Sequence, residues 1–193
     1  MSDPLVLHTL RCMGFTDLER VAEAGGWSPE ETESRLIDLA VQGLVTRTPG
    51  AFGGWGLTEA GKVADARLVA EEVVAAGARD AVTSAYQDFM VLNPELLDLS
   101  TAWHMRTVDG VATVNDHTDP AYDARVLARF TDLDRRATPV CAALASALPR
   151  FAAYRRRLGA ALARGDLTET TSSYHSVWFQ LHEDLLVTLG IPR

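Results

Sequence analysis

Residues 28–61 constrain the fold more than any other part of the chain, because their pattern predicts a helix, a hairpin and the start of another helix. Ser28 is typical of an N-cap, Pro29 occupies the first helical position, and Glu31 stands three residues after the cap, as in a capping box. Apolar residues then recur at helical spacing: Leu36, Leu39, Ala40 and Leu44. We therefore predict a helix that begins after Ser28 and buries one face.

A hairpin is predicted directly after this helix. Gly43 can end the helix, and residues 45–47 and 55–57 can pair as two short strands. The tip between them is rich in turn formers: Pro49, Gly50, Gly53 and Gly54. A hairpin with a long flexible loop follows, and Thr58 is expected to cap the next helix.

Two further helices are predicted before this region. Pro4 can open a helix over residues 5–13, and Thr16 with Glu19 forms a second capping box for residues 17–24. The order of these elements, closed by the sequence LTEAG at residues 57–61, resembles the winged helix-turn-helix regulators of the MarR and PadR kind. The resemblance covers about the first third of the chain, and we assign residues 1–65 to this domain.

The resemblance implies a homodimeric transcriptional regulator that binds double-stranded DNA. The helix after Ser28 would enter a major groove, and the hairpin, or wing, would reach phosphate through Arg47. The residues that we predict to contact DNA lie on this helix, on the wing and on the following helix: Ser34, Arg35, Arg47, Thr48 and Lys62.

The charge of this region favours a different use of the same fold. Residues 1–65 carry five basic and ten acidic side chains, and the whole chain has a net charge of −8. Contacts to phosphate supply most non-specific affinity for DNA. The presumed recognition helix is poorly suited to them, because against Arg35 it carries four acidic residues: Glu30, Glu31, Glu33 and Asp38. The alternative is a winged-helix adaptor that binds a protein and no DNA.

Residues 66–193 are predicted to form an all-α bundle, so that the fold class is mainly α. A long helical pattern with interruptions at Gly61 and Gly77 is expected from Glu59 to about Leu92, and Asn93 and Pro94 begin another helix. Residues 107–113 contain an Asp-Gly pair that indicates a hairpin or a loop. Asp119 should cap the next helix, and Pro139 should kink or break it. A stripe of small residues suits either a dimer interface or packing within the chain: Ala66, Ala70, Gly77, Ala81 and Ala85.

The last helix, predicted over residues 171–189, separates into three faces. One face carries Tyr174, Trp178, Leu181 and Leu185, and the face beside it carries His175, Phe179, His182 and Leu186. The third face is expected to point away from the bundle and carries Ser173, Ser176, Gln180 and Asp184. The histidines are interpreted either as core residues or as part of a pocket for a small-molecule effector. That pocket would comprise Trp103, His104, His117, His175, Trp178 and His182.

No metal site, cofactor or catalytic residue is predicted. His175 and His182 are seven residues apart, about 10.5 Å along a helix, whereas two histidines on one metal ion are normally one turn apart. Cys12 and Cys141 lie in apolar surroundings without a CxxC spacing and are interpreted as buried thiols. Motifs for phosphate binding, a serine nucleophile or zinc proteolysis are absent from the sequence. A small helical enzyme is the third hypothesis and depends only on the polar residues 115–120.

The sequence also predicts a soluble, cytoplasmic protein that does not enter a membrane. Apolar residues make up 47% of the chain, which is ample for a core. They are distributed without a run of about eighteen that would span a bilayer, and the first ten residues lack the basic segment of a signal peptide.

Overall fold

The computed structural model describes residues 3–50, 53–108 and 110–192, and over these residues the protein is mainly helical. Eight α-helices occur in the described ranges: α1 Asp3–Met13, α2 Leu18–Gly25, α3 Pro29–Val41, α4 Glu59–Ala76, α5 Arg79–His104, α6 Pro120–Ala147, α7 Ala152–Ala163 and α8 Tyr174–Leu189. Four strands form two antiparallel hairpins: β1 Val45–Thr48 with β2 Gly54–Leu57, and β3 Met105–Val108 with β4 Val111–Val114. None of the described helices has the length and apolar character needed to cross a bilayer.

The chain forms two compact units. Unit 1 comprises Met1–Asp80 together with Gln180–Arg193, and unit 2 comprises Ala81–Phe179. These units differ from the predicted domains 1–65 and 66–193, because all of α4 and the C-terminal turns of α8 belong with the N-terminal helices. Helical periodicity identifies a buried face, but it does not tell which part of the chain covers that face.

Unit 1 is organised around an apolar core shared by α1, α2, α3 and the first hairpin. Its fully buried members are Val6, Leu7, Leu10, Val21, Leu36, Leu39, Val45 and Trp55. The predicted start of α3 is confirmed, since Ser28 Oγ accepts a hydrogen bond from the Glu31 amide at 3.2 Å. The end of α3 is also confirmed, because Gly43 has a left-handed φ of 73°.

The first hairpin has the predicted strands, with Val45 opposite Leu57. The Thr58 hydroxyl joins its end to α4 and α3, because it accepts from the Gly61 amide at 3.0 Å and donates to the Gly43 carbonyl at 2.7 Å. Gly61 is required at this junction, since a Cβ atom there would collide with the Leu44 carbonyl oxygen. The sequence LTEAG therefore closes the hairpin onto the preceding helix.

The predicted N-cap of α2 is wrong. Asp17, and not Thr16, accepts the capping hydrogen bond, from the Arg20 amide at 2.9 Å. Thr16 is instead buried and exchanges two backbone hydrogen bonds with Trp55, of 3.0 and 2.7 Å. An Asp beside a Thr offers two possible caps, and the pairing of Thr16 with β2 decides between them.

The predicted interruption of the helical pattern at Gly77 is confirmed, because α4 ends at Ala76 with Gly77 in the left-handed conformation at φ 57°. The predicted interruption at Gly61 is wrong, since α4 runs through that residue. The next helix, α5, then passes through Pro94, where a new helix was predicted to begin. Asn93 does not act as the cap there, since its side-chain oxygen accepts a hydrogen bond from Trp178 Nε1 at 3.0 Å.

Unit 2 packs α5, α6, α7 and the first turns of α8 around aromatic side chains. Trp178 stacks on Phe89 with ring centroids 4.6 Å apart, and Phe130 meets the edge of Tyr174 at 5.7 Å. The hairpin indicated by the Asp-Gly pair is present as β3 and β4, so this part of the chain is not all-α as predicted. Helix α6 continues through Pro139 without a break.

Candidate functional site

The predicted DNA contacts lie on the surface of unit 1. Ser34 and Arg35 are exposed on α3, Arg47 and Thr48 are exposed on β1, and Lys62 is exposed on α4. The Arg35 guanidinium lies 3.7 Å from Asp3, and the Lys62 ammonium lies 2.7 Å from Glu59. The Arg47 guanidinium lies 5.5 Å above the Trp55 ring. Three elements thus present cations or hydroxyl groups to solvent.

The exposed surface of α3 also carries acidic and apolar side chains. Glu30, Glu31 and Asp38 are exposed, and Glu33 is half-buried. Ile37 and Val41, one turn apart, are 50% and 84% exposed. An exposed apolar pair beside carboxylates is unfavourable for a surface that meets phosphate and favourable for one that meets another protein.

A polar cluster in unit 2 surrounds Asn115, which is 4% exposed. Its side-chain amide donates to the Trp103 carbonyl at 3.0 Å and to Asp123 at 2.8 Å. His117 lies 3.0 Å from the same carboxylate through Nδ1, and its ring centroid lies 4.6 Å from that of Trp103. Trp103 in turn donates from Nε1 to Glu169 at 2.6 Å. The cluster fixes one imidazole against one indole.

Backbone and electrostatics both hold His117 in this position. Its φ of 58° lies in the left-handed region, which is uncommon for a residue other than glycine. The hydrogen bond from Asn115 lowers the pKa of Asp123 by more than burial raises it. The hydrogen bond and the charge of His117 lower this pKa further. Asp123 is therefore ionised at neutral pH, and its carboxylate contacts the side chains of both Asn115 and His117. Asn115 and His117 belong to the polar stretch of residues 115–120.

The structure brings only some of the predicted effector residues together. Trp103 and His117 are in ring contact, and His104 lies close enough to His175 to lower its pKa in addition to the larger effect of burial. Trp178 is 2% exposed in the core of unit 2. His182 belongs to unit 1. The described contacts therefore place two pairs of predicted effector residues at the surface of unit 2.

A second cluster, in the interior of unit 1, was not predicted. His8 on α1 lies between two carboxylates, with Nδ1 3.1 Å from Asp65 of α4 and Nε2 3.0 Å from Asp184 of α8. The Cys12 sulfur lies 3.6 Å from the same Nε2 atom. The exposed fractions of these four residues are between 1% and 6%. We refer to His8, Cys12, Asp65 and Asp184 as the His8 cluster.

The His8 cluster overturns the predicted faces of the last helix. Asp184 and Gln180 were expected to point away from the bundle, but they are 2% and 8% exposed, and Ser173 is fully buried. The stripe of Tyr174, Trp178, Leu181 and Leu185 is buried as predicted. The reason is that α8 is covered on more than one side, so that its polar face meets a histidine instead of water.

The electrostatics of the His8 cluster follow from its composition. Burial by itself lowers the pKa of His8, but the negative charges of Cys12 and Asp184 and the hydrogen bonds of both carboxylates outweigh burial. The pKa of His8 therefore lies well above its usual value. One sequence signal was available, because His8 and Cys12 are four residues apart on a helix and so share a face. The contributions of Asp65 and Asp184 depend on tertiary structure.

The predicted burial of both thiols is confirmed, since Cys12 and Cys141 are both buried. Three residues of the small-residue stripe, Ala66, Ala70 and Gly77, are exposed and line a cavity of about 370 Å³ together with residues 187–190 of the same unit. Comparisons with known proteins give no match to a family model, a curated protein or a solved structure.

Proposed function

We propose that this protein is a transcriptional regulator that binds DNA through a winged helix-turn-helix formed by α1 to α4 and the hairpin of β1 and β2. The observation that supports the proposal is the closure of this hairpin by Thr58, which joins the end of α3, the wing and the start of α4. In this arrangement α3 is the recognition helix, and its outward face is open to solvent along the length needed to enter a major groove.

The exposed polar residues have distinct roles in this proposal. Ser34 and Arg35 on α3 would reach base edges, and Arg35 would leave its weak pair with Asp3 to do so. Arg47 and Thr48 on the wing contact phosphate, as does Lys62 at the start of α4. A homodimer would present two such units to two half-sites, one helical turn of DNA apart.

An effector could act through the polar cluster of unit 2 in the same proposal. Trp103 offers an aromatic face, and His117, His104 and His175 offer imidazoles at a partly exposed surface. A small aromatic or acidic molecule bound there would change DNA affinity only by binding one conformation of the protein more tightly than another.

A second function is favoured by a specific observation on α3. Ile37 and Val41 expose an apolar pair, and Glu30, Glu31 and Asp38 expose negative charge on the same helix. A protein partner with an apolar groove and a basic rim would fit this surface. The second candidate is therefore a winged-helix adaptor that binds such a partner.

The experiment compares two arginine variants in binding to fragments of the source genome. Arg47→Ala should weaken binding about equally for all bound fragments and reduce the salt dependence by about one phosphate contact. Arg135→Ala is the matched control, since it removes the same charge from a side chain that is 73% exposed in unit 2. Equal effects of the two variants would show that the wing makes no phosphate contact, and the adaptor would then be the better hypothesis.

A further inference from the structure

We propose that His8, Cys12 and Asp184 bind a divalent transition-metal ion of the zinc class in the interior of unit 1. This inference does not depend on the proposed function, because it rests on side chains that are buried and that take no part in the DNA-binding surface. The three residues come from α1 and from the C-terminal turns of α8, so that the ion would join these two segments.

The distances between the donor atoms match those of a metal centre. His8 Nε2 lies 3.0 Å from Asp184 Oδ1 and 3.6 Å from Cys12 Sγ, and the three donor atoms all lie within 4.8 Å of one another. A tetrahedral zinc ion with bonds of about 2.0 to 2.3 Å holds its ligand atoms roughly 3.3 to 3.6 Å apart. Small side-chain movements therefore suffice to place one ion in contact with all three atoms.

Side chains around the cluster hydrogen-bond to these ligands and orient them, as is common in metalloproteins. The Nδ1 atom of His8 faces Asp65 at 3.1 Å. In the metal-bound form Nε2 would lose its proton to solvent and Nδ1 would donate to Asp65, which leaves the Nε2 lone pair directed toward Cys12 and Asp184. Asp65 lies on the other side of the imidazole ring, so it is a positioning residue and not a ligand of the same ion. Asp184 is held in turn by the Thr188 hydroxyl, which donates to Oδ1 at 3.0 Å.

A second observation concerns the carboxylate of Asp65. The Oδ2 atom of Asp65 is buried and has no hydrogen-bond partner in the described ranges, on a residue that is 1% exposed. A carboxylate at the far nitrogen of a metal-bound imidazole has this position in the carboxylate–histidine–metal arrangement. Asp65 would then raise the basicity of the His8 ligand.

The donor set selects the kind of ion. One thiolate, one imidazole and one carboxylate favour zinc and related late transition metals over magnesium or calcium, which prefer oxygen ligands alone. The thiolate of Cys12 and the carboxylate of Asp184 together neutralise a divalent charge, which allows burial of the centre. Three protein ligands leave the fourth position of a tetrahedral ion for water or another small ligand.

The test uses Co²⁺ as a coloured substitute for zinc in the full-length, metal-free protein. Titration should produce the absorption of a tetrahedral cobalt site and a thiolate-to-cobalt band in the near ultraviolet, both saturating at about one ion per chain. Added Zn²⁺ should remove both signals. Cys12→Ser should lose the thiolate band.

Cys141→Ser is the control for this experiment, because Cys141 is the other buried thiol of the chain and lies in unit 2. Burial raises the pKa of that thiol to about 11, so it stays protonated and should not bind cobalt. Absence of the thiolate band in the wild type would overturn the proposal, and so would its loss in Cys141→Ser with retention in Cys12→Ser.

A second measurement applies to the wild type alone and covers the case in which Cys12→Ser does not fold. Alkylation of each cysteine is followed by peptide mass spectrometry with and without Zn²⁺. Zinc should slow the alkylation of Cys12 at least tenfold and leave that of Cys141 unchanged, because only the coordinated thiolate is withdrawn from reaction. Equal rates for Cys12 with and without zinc would refute the site.

Discussion

Asp134→Ala should destabilise the protein more than any other single change of a charged residue in unit 2. The Asp134 carboxylate accepts two hydrogen bonds from the Arg155 guanidinium, both of 2.7 Å, and a third from the Tyr174 hydroxyl at 3.1 Å. Its side chain is 12% exposed and Tyr174 is fully buried. Burial raises the pKa of Tyr174, so the phenol remains a donor.

The magnitude follows from what the substitution leaves behind. Removing one partner of a buried ion pair costs about 3 to 5 kcal/mol, because the other charge is then uncompensated. The Arg155 side chain is 33% exposed and can regain water, which places the cost at about 3 kcal/mol. Tyr174→Phe removes a single hydrogen bond to a charged group and should cost about 1.5 kcal/mol.

Urea denaturation followed by far-ultraviolet circular dichroism measures both changes. Asp132→Ala is the matched control, two residues away on α6, where the carboxylate is half exposed and pairs with Arg135 and Arg136. Its effect on the denaturation midpoint should be small, because exposed ion pairs contribute little. If Asp134→Ala and Asp132→Ala shift the midpoint equally, the argument from burial is wrong.

Three further predictions concern stability. Ser28→Ala should lower the free energy of unfolding by about 1 kcal/mol through loss of the α3 cap, as measured by urea denaturation. Trp178→Ala should cost about 3 to 5 kcal/mol in the same assay, whereas Phe179→Ala, at a position 53% exposed, should cost far less. Burial and the charge of His104 lower the pKa of His175 from its usual 6.5. His175 therefore binds a proton more readily in the unfolded chain than in the folded chain. The contribution of His175 should therefore reduce stability as the pH drops below about 6.5. The melting temperature of His175→Gln should accordingly rise relative to that of the wild type between about pH 7 and pH 5.

The elements that could be predicted are those whose signals are local. The N-cap at Ser28, the left-handed Gly43 and the Thr58 cap each depend on a few adjacent residues, and all three are present. A prediction failed where two adjacent residues could both cap a helix and a contact with a distant residue determined which one does. Thr16 was assigned as a cap because its pairing with Trp55 could not be read from sequence.

The His8 cluster shows the same limit for a site. Two ligands of one metal ion on a helix are normally one turn apart. His175 and His182 do not have this spacing, whereas His8 and Cys12 do. The sequence predicts an exposed Asp184, because a carboxylate on one face of an amphipathic helix is usually exposed. Its burial depends on α8 packing against His8 of α1, 176 positions earlier in the chain, and no local pattern encodes that contact.

The most direct test of the proposed function is whether the wild-type protein retains fragments of the source genome at low salt, where electrostatic attraction to DNA is strongest. The proposal predicts that a limited set of fragments is retained, and that binding falls steeply as salt is added. Failure to retain any fragment under these conditions would contradict a DNA-binding role, and the exposed Ile37 and Val41 on α3 would then indicate a protein partner.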